Sequence, residues 1–138
     1  MVDFNKEKSK NIFNCGQVEN ILNYIRLRNI QNKQYEKFLI DYGYGFIDEN
    51  ELTINNEIYS IECFLGVSNN NAYDIVMANK LAELDQTKYC AIANLYGGDL
   101  ICINNQDDKI YLWTHEEWYN EPICIANDFN ELLEKISN

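Results

Sequence analysis

Ala91-Ile92-Ala93-Asn94-Leu95-Tyr96-Gly97-Gly98-Asp99-Leu100-Ile101-Cys102-Ile103-Asn104 is the stretch on which the architecture turns. Two apolar, β-branched runs flank a glycine pair. Glycine takes the left-handed backbone that a tight hairpin turn needs, so the pair predicts a turn between strands at about 88–94 and 99–104. Gly97-Gly98-Asp99 could also be taken for a phosphate-binding loop. It lacks the Lys-Ser/Thr ending and the helix that should follow, and a strand follows instead. Strands joined so tightly are antiparallel neighbours.

Working outward, Asn104 to Asp108 forms the next turn and leads to a strand at 109–114. Upstream, 44–48, 51–55 and 57–64 also read as strands, with turns at Asp48-Glu49-Asn50 and Asn55-Asn56. Asn69 to Asn71 is a loop. Tyr73, Val76, Met77, Lys80, Leu81 and Leu84 give helical spacing over 72–84. At the start of the chain, Val18, Ile21, Leu22 and Ile25 predict a helix over 17–29, with Asn14 and Gln17 as a variant capping box. Tyr35, Phe38, Leu39 and Tyr42 predict another over 33–42, stopped by Gly43 and Gly45. A short strand at 122–126 leads to a last helix over 128–137. Asp128 is its N-cap, Glu131 completes a capping box, and Phe129, Leu132, Leu133 and Ile136 form its apolar stripe.

Helices at the chain ends can cover one face of the central sheet, so the predicted class is α+β. One domain over 1–138 is expected, an antiparallel-rich mixed sheet flanked by helices, with residues 1–16 loosely ordered. There is one proline, Pro122, and no repeat or low-complexity tract.

Apolar residues make up 46% of 138, enough for one core without disulfides or a structural metal. The N-terminus has no apolar signal region, and the longest apolar runs are too short to span a bilayer, so a cytoplasmic location is expected. The five cysteines are odd in number and show no C-x-x-C spacing. Cys90, Cys102 and Cys124 sit among apolar residues and read as small core side chains. The formal charge is −11. Residues 1–37 hold seven Lys/Arg against four Asp/Glu, whereas 38–138 hold four against eighteen. That balance argues against nucleic acid or an anionic membrane as partner and favours a basic protein.

Several blocks resemble the SUKH superfamily, named partly after a fungal regulator of cell-wall synthesis. Tyr35 to Gly43 resembles its early helix and glycine turn, and Ile58 to Gly66 its next strand. Ala91-Ile92-Ala93 with Gly97 to Ile103 is similar to its central hairpin, and Ile110 to Glu116 to its tryptophan strand. Ile125 to Leu133 is similar to its closing strand and helix. The blocks come in the family's order over about 35–134. The resemblance implies a one-domain α+β fold and no catalysis. Its bacterial members look like immunity proteins against polymorphic toxins, many of them nucleases or deaminases.

Taken alone, the chemistry-bearing residues read modestly. His115 is the sole histidine, and the sequence reveals no partners for a triad or metal site. Asp107-Asp108 and Glu116-Glu117 are adjacent carboxylates and read as solvated turns. Trp113 reads as core. Trp118 and Tyr119, ringed by Glu116, Glu117 and Glu121, suit an interface hot spot for a basic partner. The candidate binding patch is Asp48, Glu49 and Glu51 together with Glu116, Glu117, Trp118 and Tyr119. No catalytic residue, metal or cofactor is expected. The leading expectation is an immunity protein that occludes a basic protein toxin domain such as a nuclease. A regulatory scaffold binding host proteins is the alternative, and a carboxylate-based hydrolase has least support. The oligomeric state is left open.

Overall fold

The structure, a computed structural model, describes residues 12–14, 18–46, 50–68, 70–115 and 121–137. The glycine turn joins β5 (Tyr89–Leu95) to β6 (Leu100–Asn104), with φ of 96° at Gly97 and 101° at Gly98. β6 pairs β7 (Ile110–Trp113), which pairs β8 (Ile123–Ala126). On the other side β5 pairs β4 (Glu57–Phe64), then β2 (Tyr44–Phe46) and β1 (Ile12–Asn14) follow. Every ladder between these strands is antiparallel; the parallel pairing is an isolated bridge, Gly66 to Asp74.

β3 (Glu51–Ile54) lies off this path. It pairs the first half of β4 through Asn55 and Asn56, whose φ values of 51° and 68° are what a two-residue hairpin of this hand requires. Its far edge takes β9 (Ile136–Ser137), with Leu52 opposite Ile136. The last helix, α4 (Phe129–Lys135), therefore ends two residues earlier than expected. Ile136 is apolar because it pairs and packs beside Leu52, not because it extends the helical stripe.

α1 (Val18–Leu27), α2 (Lys33–Asp41) and α4 cover one face of the sheet. Phe38 is the hub, with ring centroids 5.2 Å from Phe64 and 5.0 Å from Phe129; Tyr35 meets Phe129 edge-on at 5.3 Å. Phe64, Ala93, Ile101, Leu112 and Ile123 lie in register across five strands on this face. Asn32 caps α2, accepting from the Tyr35 N–H at 3.0 Å. Asp128 caps α4, accepting from the Glu131 N–H at 2.7 Å, while Glu131 accepts from the Asn127 N–H at 3.3 Å. The capping box thus closes one residue earlier than the usual pattern. The Asn14–Gln17 capping expectation, like the Asp48-Glu49-Asn50 turn, lies partly outside the described residues.

α3 (Ile75–Leu81) packs on the opposite face. It is shorter than the expected 72–84, because Asp74 caps it with both carboxylate oxygens and Tyr73 stays in the preceding turn. So short a helix covers the β5 side and leaves the β7–β8 side partly open. Ala91, Cys102, Tyr111 and Cys124 share a row there, and their exposure rises along it. Cys124 is accordingly exposed, which corrects its reading as a core residue: β8 is an edge strand with no helix over that end.

Cys63, Cys90 and Cys102 are buried, and none of the four described cysteines is in a disulfide. Burial pushes the Cys63 and Cys90 thiols up to about 11. Brief alkylation of the native protein followed by peptide mapping should label Cys124 and leave Cys63, Cys90 and Cys102 unlabelled. Fast labelling of Cys90 would contradict the packing. The thiols also lend the fold an alkaline limit. A thiol ionises near 9 when unfolded and near 11 in the fold, so stability should fall as pH rises through that window.

Candidate functional site

Between the β3–β4 hairpin and the ends of β6, β7 and β8 lies a cleft of about 410 Å3. Strand alternation builds it. Leu112 of β7 and Thr114 just beyond its end line one side, Ile123 lines it from the neighbouring strand, and Ile54, Glu57 and Tyr59 from the hairpin opposite. Ile54, Tyr59, Leu112 and Ile123 make an apolar lining, to which Glu57 and Asp99 add carboxylates. Glu57 is exposed and accepts from the Tyr59 hydroxyl at 3.0 Å. Asp99 Oδ1 sits 2.8 Å from His115 Nδ1 and accepts from the His115 backbone N–H at 3.2 Å.

That contact explains the second glycine of the turn. A Cβ at Gly98 would stand 3.3 Å from the His115 ring, on a backbone already at φ 101°. Gly98 thus lets His115 close over the turn and reach Asp99, as well as turning the chain. The single histidine is a surface group held against the Asp99 carboxylate.

The cleft is negative because of where its walls come from. Residues 38–79, 89–108 and 110–134 contain no Lys or Arg at all, and every lining residue falls within them. The opposite face differs. There a groove of about 440 Å3 runs beside α3, lined by Met77, Leu81, Leu100 and Trp113 among others. Trp113 is half-buried at its wall and not fully core. This face carries cations: Lys88 Nζ lies 5.5 Å from the centroid of the Tyr89 ring, and Lys80 belongs to α3. Tyr89 meets Tyr111 edge-on at 5.4 Å, and the Tyr111 hydroxyl donates to Asp107 at 2.6 Å. That bond, with desolvation behind it, pushes the Tyr111 phenol up to about 12.

Of the patch expected from sequence, Asp48, Glu49, Glu116, Glu117, Trp118 and Tyr119 lie outside the described residues. Glu51 is exposed at the start of β3, opposite Ser60 and Ser137. Alternation sets it with Thr53 on the side away from Ile54, so it does not line the cleft. Thr114 and Ile123, either side of 116–120, do line it, facing Ile54 and Asn55. Sequence reasoning missed Glu57, Tyr59 and Asp99. The signal that could have found them is the absence of Lys and Arg from 38–79 and 89–108. Among the described residues no group of three or more His, Cys, Asp or Glu could hold a metal ion, and no helix is long and apolar enough to cross a membrane.

An antiparallel sheet with helices on both faces and an acid-lined cleft at one end defines a small α+β domain. Residues 32–135, from the Asn32 cap to the end of α4, match the model of the SMI1 / KNR4 family (SUKH-1), and the chain belongs to that family. No curated protein and no solved structure matches it.

Proposed function

We propose that this chain is a cytoplasmic immunity protein that neutralises a cognate toxin domain, basic in charge and such as a nuclease, by covering it, without turnover of any substrate. The family includes toxin immunity proteins, which supports the class. The observation that carries the partner's charge is the cation-free wall of the cleft, on a chain of net charge −11. A standard interface buries roughly 800 Å2 per partner, enough to block an active-site mouth from one face of this domain. Glu116, Glu117, Trp118 and Tyr119, next in sequence to the cleft residues Thr114 and Ile123, belong to the proposed surface together with Asp48, Glu49 and Glu51.

Such a pairing is steered by charge. Association with the cognate toxin should slow about tenfold as salt rises from low to several hundred millimolar. Reversing Glu116 and Glu117 to lysine should lower the association rate, while Trp118→Ala should chiefly raise dissociation. Stopped-flow binding and growth protection on co-expression check both. Full protection with unchanged kinetics in these variants removes this patch from the interface.

A further inference from the structure

Resting on that reading, we propose that the cleft between the β3–β4 hairpin and β6–β8 is a socket for one arginine side chain projected by the partner. The cavity of about 410 Å3 is open at the surface and has two kinds of wall. Ile54, Leu112 and Ile123 offer apolar surface to an arginine stem, which gains by covering its methylenes while its head stays polar. Ile123 is still 46% exposed, so apolar area there awaits cover. Glu57 and Asp99 offer carboxylate oxygens to the head, and the Tyr59 ring offers a face on which a planar guanidinium stacks. A guanidinium has five donors in a fixed fork and serves two carboxylates at once, which a lysine ammonium does less well.

Two carboxylates set this cavity apart. Among the described residues its lining holds Glu57 and Asp99 and no Lys or Arg. The groove beside α3, of similar size, and the smaller hollow beside Tyr73 and Tyr96 each have one carboxylate in their lining, Glu62, and His115 also lines the former. An incoming cation is therefore drawn most strongly to the hairpin side. His115 already lies against Asp99, and Tyr59 against Glu57, so both carboxylates are held in place before a ligand arrives.

The test uses the full chain and a hexa-arginine peptide as probe, followed by methyl NMR of the isoleucines and leucines. The expected result is saturable shifts at Ile54, Leu112 and Ile123 ahead of all other methyls. Glu57→Gln should weaken the peptide about tenfold, the scale of one lost charge-assisted hydrogen bond. Glu134→Gln, an exposed α4 acid outside the cleft, should leave it unchanged. Asp99→Asn serves as a second cleft variant, with one-dimensional spectra confirming that each variant is folded. Shifts scattered over the acidic surface, or equal weakening by Glu57→Gln and Glu134→Gln, overturn the socket. A toxin complex that forms with wild-type affinity in Glu57→Gln also overturns the socket while leaving the immunity reading intact. Failure of the wild type to bind any toxin, with the peptide still seated at Ile54, Leu112 and Ile123, removes that reading and keeps the socket.

Discussion

Replacing Asn79 with alanine should cost about 3 kcal/mol of stability and lower the melting temperature by on the order of 10 °C. Asn79 is fully buried on α3, in a molecule with few buried polar side chains. Its amide donates to the Ile75 carbonyl at 2.8 Å and to the Ala91 carbonyl at 3.1 Å, and its oxygen accepts from the Ala91 N–H at 2.7 Å. The reason lies in the sheet. β4 last pairs β5 at Phe64 opposite Ala93, so Ala91 lies beyond the reach of that neighbour. α3 arrives in its place, and one carboxamide satisfies both backbone groups as a strand would. Without it, two buried polar groups lose their partners, each worth about 1–3 kcal/mol. Asn79→Asp keeps the acceptor, loses both donated bonds and buries a charge, so it should be no milder. Denaturant titration decides the matter: a loss below about 0.5 kcal/mol for Asn79→Ala would show that α3 is held some other way.

Arg28→Met should be comparably damaging, at about 3 kcal/mol. Arg28 follows α1, is 5% exposed, and ties that helix to the start of β5. It donates to the Leu84 carbonyl at 3.1 Å, the Tyr89 carbonyl at 2.7 Å and the Tyr24 hydroxyl at 3.1 Å. Methionine fills the volume but removes all three bonds, leaving the Leu84 and Tyr89 carbonyls only what Thr87 donates to them. Arg28→Lys should rescue little, because one ammonium cannot reproduce the fork. Asp85, 3.5 Å from the same guanidinium, is 45% exposed, and Asp85→Asn should cost less than about 1 kcal/mol. A large loss for Asp85→Asn with a small one for Arg28→Met would reverse this account, placing the energy in the ion pair instead of the carbonyl anchors.

These two side chains also mark where the sequence ceased to be readable. Local chemistry was legible: Gly97-Gly98, Asn55-Asn56 and Asp128 declare their turns and cap within four residues, and each is where expected. The order of strands in the central hairpins followed from turn length. Contacts made at long range were not. Asn79 reads in sequence as an ordinary polar position of a helix, because nothing nearby says that β4 will part from β5 at Phe64. Ile136 fits a helical stripe equally well as a strand, and its pairing with Leu52 is decided by tertiary contact. Cys124 shares its apolar flanks with Cys102, yet one lies on an edge strand and the other at the centre of the sheet. The candidate site was legible in its charge and not in its geometry. Adjacent carboxylates drew attention to turns, whereas Glu57 and Asp99, more than 40 residues apart, come to line one cleft only once the hairpin has folded across the sheet.

The most direct measurement is of the purified chain against the basic toxin domain proposed as its cognate partner, following complex formation and toxin activity in the same titration. An immunity protein acting by occlusion gives inhibition that saturates at a fixed stoichiometry, with the chain recovered unchanged and association slowed by added salt. No complex with that toxin, or protection that persists only while a substrate is consumed, would contradict it.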